Sequence, residues 1–154
     1  MASALAFGGT AAVSDGPLLV GDAIGIAAIG VTAAIVYTPG LVDKMNREID
    51  GIRKRVAGPP GFAYALTVRN SGKYTSVRGG SVMLNAGDFW KYGETTQGFG
   101  RYTQKELNTM VPGGVNMMPI FFGSQMDIKI MEKKMIYGHF FINGSLPLGN
   151  SIFR

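Results

Sequence analysis

The apolar positions along this chain change their spacing three times, and each change marks a boundary. Pro17 to Tyr37 (PLLVGDAIGIAAIGVTAAIVY) is apolar almost throughout, with Asp22 its one charge. Ala23 to Tyr37 is uncharged for 15 residues, short of the ~20 that a full membrane span needs. Extending the span back over Asp22 costs about 2.5–3.5 kcal/mol if that charge is held centrally. Asp22 serves better as the N-cap of a helix that starts just after it. Gly25, Ala28 and Gly30 suit close helix contact. The expectation is an apolar helix, buried or chaperoned, that can enter a membrane. Thr38-Pro39-Gly40 ends it.

Leu41 to Val56 changes the spacing to three or four: Leu41, Met45, Ile49, Ile52 and Val56 form one stripe, which predicts a helix. Asp43 with Arg47, and Asp50 with Lys54, support its charged face. Gly58-Pro59-Pro60-Gly61 is a stiff break. It divides a leader region, residues 1–60, from a functional domain, residues 61–154. From Phe62 the runs are short and rich in β-branched and aromatic residues: FAYALTV, KYTSV, SVML, FWKYG and MPIFF. These predict strands. Asn85-Ala86-Gly87-Asp88 is read as a hairpin connection between SVML and FWKYG. Arg101 to Met110 is read as a helix, with Thr103 and Glu106 as its capping box. A longer helix is expected from about Asp127, broken near Gly138. The fold class is therefore α+β: a small antiparallel sheet with a hairpin and two or three packing helices, preceded by the apolar helical leader.

Composition narrows the chemistry. The chain has no cysteine and one histidine, His139. Disulfides and thiolate metal sites are excluded, as is a zinc site of several histidines. A serine–histidine–aspartate triad would need His139 as its base. Catalysis must use carboxylates, tyrosine, lysine, arginine or a metal held by oxygen ligands. The formal charge of +5 is uneven. Residues 61–154 hold ten basic and five acidic groups, whereas residues 1–42 hold only Asp15 and Asp22. Basic charge on the globular part attracts polyanions such as nucleic acid or anionic lipid. Arg53-Lys54-Arg55 adds a further phosphate-contacting option.

Cleaving a phosphodiester needs a group that activates water and positive charge where the phosphate charge develops. Tyr92, Arg101 and Glu132 offer a phenol, a guanidinium and a carboxylate. Arginine donates two parallel hydrogen bonds to phosphate. One carboxylate plus substrate oxygens can hold Mg²⁺ or another divalent cation, because Mg²⁺ keeps several waters. His139 is added as a candidate catalytic participant, and Lys134 as a candidate substrate contact. Each residue also has a plain structural use: Tyr92 as a strand aromatic beside Trp90, Glu132 in ion pairs with nearby lysines, Asn150 in a turn.

The order of these residues resembles the GIY-YIG nuclease superfamily. There, a hairpin ends in a tyrosine–x–glycine motif followed by threonine, then an arginine on the first helix, a glutamate on a later helix and a late asparagine. Lys91-Tyr92-Gly93-Glu94-Thr95 stands for that motif, Arg101 for the arginine, Glu132 for the metal-binding glutamate and Asn150 for the asparagine. The resemblance implies a small α/β sandwich, Mg²⁺-dependent hydrolysis of DNA or RNA, tyrosine-assisted water activation, and substrate contacts from Lys91, Thr95 and Asn150. The departure lies at the first motif, where Val82 stands ten residues before Tyr92 in a tyrosine's place. Tyr64 and Tyr74 are the nearest substitutes, and Tyr64 is favoured.

GDFWKYGETT, RYTQKELN and EKKMIYGHFFINGSLPLGNSIFR also resemble the C-terminal tips of Rhs-type polymorphic toxins, and residues 15–37 resemble the apolar segment that precedes them. That resemblance implies delivery into a target bacterium by a secretion system, commonly type VI. It further implies a cognate immunity protein, a chaperone or shell around the leader, and a transient membrane contact. A membrane-active toxin that inserts residues 17–37 is the alternative from a different class.

Overall fold

The computed structural model describes residues 39–153. The apolar run of residues 17–37, and with it the expected inserting helix, lies outside the described residues. What is described is α+β: a three-stranded antiparallel sheet, a separate two-stranded one and three α-helices.

Strand β1 (Pro60–Val68) is the centre of the larger sheet, with β4 (Phe89–Thr95) on one side and β5 (Val115–Ser124) on the other. Its two-residue alternation sorts large from small. Phe62, Tyr64, Leu66 and Val68 enter one core with Trp90, Leu107 and Leu148, whereas Ala63 and Ala65 enter another. The two alanines leave room on that face for helix α3 (Gln125–Asn143), which seats Ile128, Met135 and Ile136 there. Helix α1 (Pro39–Arg53) packs on the back of α3 through Met45, Ile49 and Tyr137. The helix on the leader side of the Gly58–Gly61 break is thus packed against the helix that carries Glu132. Pro39, read as part of a stop signal, opens α1, where its missing N–H costs nothing.

Several expectations are corrected. SVML and FWKYG do not pair with each other. SVML forms β3 (Ser81–Leu84) and pairs with β2 (Gly72–Thr75), while β4 pairs with β1. Gly79 and Gly80, at φ 93° and 75°, make the β2–β3 turn. The Asn85–Asp88 turn instead bonds to the end of β1 through Val68 N–H to the Asp88 carbonyl, 3.0 Å, and Gly87 N–H to the Val68 carbonyl, 2.8 Å. Arg101 is not on the α-helix: it ends a short 3₁₀ helix, Gly98–Arg101, and helix α2 (Gln104–Thr109) starts after its N-cap Thr103, with the expected Thr103–Glu106 capping box formed. Helix α3 is not broken near Gly138. A glycine there costs roughly 1 kcal/mol relative to alanine, but the helix buries Ile136 and Tyr137 just before it and packs Phe141 after it. It stops at Gly144 in the left-handed region, φ 68°, whose N–H donates to the Phe140 carbonyl at 2.8 Å.

The tail is tied to the sheet. Arg78 donates to the carbonyls of Leu146 (2.8 Å), Pro147 (2.9 Å) and Asn150. Gly149 N–H donates to the Trp90 carbonyl at 2.7 Å.

Candidate active site

A cleft of about 620 Å³ opens where β4, α3, α1 and the 3₁₀ turn meet. Four of the sequence-selected groups line it together: Tyr64 from β1, Lys91 from β4, Arg101 from the turn and Glu132 from α3. Gly93 of β4 lines it too. Pairing across the sheet explains which residues of β4 arrive there. Tyr64 faces Gly93 and Leu66 faces Lys91, so those positions share the Tyr64 face. Tyr92 faces Ala65 and takes the opposite one.

Gly93 is required by proximity. A Cβ at this position would run into the phenol of Tyr64, which lies across the strand. The Tyr64 hydroxyl meets that of Tyr102 at 3.1 Å, and either can donate. Burial first, then the Tyr102 hydrogen bond, raises the Tyr64 pKa well above that of a free phenol. Arg101 lowers it and Glu132 raises it, so both charges act on this hydroxyl. Tyr64 is therefore a neutral phenol at pH 7, able to orient water or a phosphate oxygen by hydrogen bonding.

Helix spacing brings Lys129, Glu132 and Lys133 to the cleft at i, i+3 and i+4. Lys133 is almost fully covered and donates to Glu48 of α1 at 2.7 Å; the Tyr137 hydroxyl donates to the same carboxylate oxygen at 3.0 Å. Burial raises the pKa of Glu48, but the hydrogen bonds from Lys133 and Tyr137 and the charges of Lys133 and Lys44 outweigh it, and the net shift is downward. Arg55, one of the sequence-selected basic run, also lines the cleft, whereas Arg53 pairs with Asp50 at 3.2 Å.

Five selected residues do not line the cleft. Tyr92 is a core side chain, packed with Ile128, Met135 and Ile136. Burial raises its pKa as well. Thr95 is buried, and its hydroxyl accepts from Gln97 N–H at 3.0 Å, which shapes the turn out of β4. Lys134 lies one step round α3 from Lys133 and is not among the lining residues. His139 sits edge-on to Tyr92, 6.0 Å between ring centroids; burial and the charge of Arg78 lower its pKa to about 4, so it is neutral at pH 7. Asn150 is buried and clamps the backbone of Tyr92: its Oδ1 accepts from Tyr92 N–H at 2.9 Å and its Nδ2 donates to the Tyr92 carbonyl at 3.0 Å. Asn150 thereby fixes the strand that presents Lys91 and Gly93 without reaching the cleft itself.

Sequence reasoning missed Glu48, Lys129, Lys133 and Tyr102. Lys129 had a signal, its spacing from Glu132. Glu48 and Lys133 are 85 positions apart, and no local pattern links them.

Among the described residues no group of three or more histidine, cysteine, aspartate or glutamate side chains gathers to hold a metal. A closed protein cage is therefore absent from that part of the chain. The donor set suits a cation that keeps most of its water: Glu132 lines the cleft together with basic side chains that can hold a phosphate. No family model, curated protein or solved structure matches the chain.

Proposed function

We propose that this protein is a divalent-metal-dependent phosphodiesterase acting on nucleic acid, with the Tyr64–Arg101–Glu132 cleft as its active site. The observation that carries the reading is that a phenol, a guanidinium and a carboxylate from three separate elements line one cavity together with Lys91 and Lys129. Set on Gly93, the tyrosine–x–glycine pattern of the GIY-YIG nucleases puts Lys91 in the tyrosine's place. Tyr64 supplies a phenol from the neighbouring strand.

Arg101 grips the phosphate through its planar fork, and Lys91 and Lys129 add positive charge around it. Tyr64, neutral and steadied by Tyr102, directs a water or a non-bridging oxygen by hydrogen bonding. Glu132 is the residue that would hold Mg²⁺. When bound, the ion offsets developing phosphate charge and makes water easier to deprotonate. The Glu48–Lys133 pair fixes the α1 side of the cavity.

The toxin setting is proposed on the resemblance to Rhs-type tips: delivery into a target cell, and an immunity protein that shields the producer. Among the described residues no helix is long and apolar enough to cross a membrane, so the membrane-active alternative rests entirely on residues 17–37.

The test is cleavage of plasmid DNA and of RNA by the full chain with Mg²⁺ or with EDTA. Glu132→Gln and Arg101→Ala should each lower the rate at least about 100-fold, and EDTA should abolish it. Undiminished cleavage by Glu132→Gln would sink the proposal.

A further inference from the structure

Tyr64, which lines the cleft, belongs to a cluster of aromatic rings. Tyr64 lies edge-on to Phe62, 6.3 Å between centroids, and edge-on to Tyr102 at 6.0 Å. Phe62 in turn meets Phe99 at 5.2 Å and Phe122, its partner across the β1–β5 pairing, at 5.5 Å. Phe62 and Tyr64 are buried, but Phe99 and Phe122 are 66% and 65% exposed. These two are the aromatic residues among the exposed large hydrophobics of the described residues, and both rest on Phe62.

Next to them is a second hollow of about 460 Å³, where Phe99, Tyr102 and Met117 meet Arg69, Gln104 and Asn116. Arg69 is held in place there by Asn116 Oδ1 at 2.8 Å and Asn108 Oδ1 at 2.6 Å. No carboxylate from the described residues lines this hollow. The two depressions adjoin: Arg101 lines the first, Tyr102 lines the second, and the guanidinium of Arg101 lies 4.5 Å over the Tyr102 ring.

Exposed aromatic side chains, with Arg69 in the hollow beside Phe99 and Arg101 over the neighbouring Tyr102, fit a ligand that is flat and apolar in one part and anionic in another. An unpaired nucleobase on its phosphate backbone has that chemistry. Stacking on such rings needs a base whose face is free, which a duplex interior does not offer. We infer that Phe99 and Phe122 form a stacking shelf for unpaired nucleobases whose phosphates run through the Arg101 cleft, so that single-stranded nucleic acid is the preferred substrate. The inference rests on the nuclease reading and specifies its substrate class.

The experiment is fluorescence anisotropy with the full chain in EDTA, so that nothing is cut. The probes are a labelled single-stranded oligothymidylate, an abasic strand of equal length and charge, and a duplex. Wild-type protein should hold the oligothymidylate about tenfold or more tighter than either other probe. Phe99→Ala should erase that preference while leaving abasic binding unchanged. Phe99→Leu, which keeps apolar packing on Phe62 but has no ring face, should erase it too, and Phe99→Trp should keep it. Equal wild-type affinity for oligothymidylate and abasic strand, or equal weakening of both by Phe99→Leu, overturns the shelf and leaves the nuclease reading standing. Failure to bind any strand, combined with failure to cut DNA or RNA in Mg²⁺, overturns both.

Discussion

Tyr64 and Tyr92 are both buried phenols on adjacent strands, yet strand geometry gives them different tasks. Tyr64 crosses over Gly93 and opens onto the cleft, while Tyr92 points the other way into the core beneath α3. Removing the two hydroxyls should therefore have unequal effects. Tyr64→Phe keeps the ring that packs on Phe62 and Tyr102 but deletes the hydroxyl at the cleft. A loss of about 100-fold in cleavage rate is expected, within the range for a positioned proton-handling side chain. Tyr92→Phe should cut nucleic acid at close to the wild-type rate. Initial rates of both purified variants check this, and a reversed order would return Tyr92 to the site and remove Tyr64 from it. The one-residue offset between Lys91 and Tyr92 explains why the sequence favours Tyr92, which the sheet turns into the core. A short motif shows which residue types are present, but only the pairing of β4 with β1 decides which of two neighbours faces the cavity.

At the scale of elements, local signals were readable and long-range ones were not. The Thr103–Glu106 capping box, the aromatic and β-branched run from Phe62 to Val68, and the helical spacing of Met45, Ile49 and Ile52 are each written within a few residues, and each is present in the fold. The pairing of β4 with β1 rather than β3 depends on contacts far apart in the chain, and turn residues alone do not report it. The same holds for α1. Its charged face reads as a solvated surface, but Glu48 is drawn in by Lys133 and Tyr137. Breaking that pair from the α1 side leaves Lys133 covered and without its counter-charge. Glu48→Ala should destabilise the protein by roughly 2–3 kcal/mol, below the figure for a fully buried pair because Glu48 is partly solvated. Chemical denaturation measures it. A change under about 0.5 kcal/mol would mean that α1 contributes no more than an exposed ion pair.

For the molecule as a whole, His139 and Glu48 tie stability to pH on the acid side. His139 has a folded pKa of about 4 against its usual 6.5. Between those values the unfolded chain binds more protons than the folded one, so stability is fully present above pH 6.5 and is lost as the pH falls towards 4. Glu48, held below the usual carboxylate range, adds its own loss at lower pH still. The melting temperature should fall on acidification through this window, and His139→Phe should flatten the upper part of the fall. Calorimetry across pH 7 to 4 reads both, and an unchanged slope in the variant would show that His139 is not the group responsible.

The clasp that Gly149 and Asn150 place along β4 has a consequence for what the molecule can recruit. Strand margins with free N–H and C=O groups are where another polypeptide most readily adds itself to a sheet. On this side the tail already occupies them, at Trp90 and Tyr92. A further strand cannot be added there without first peeling the tail away, whereas the far margin of the sheet is formed by β5.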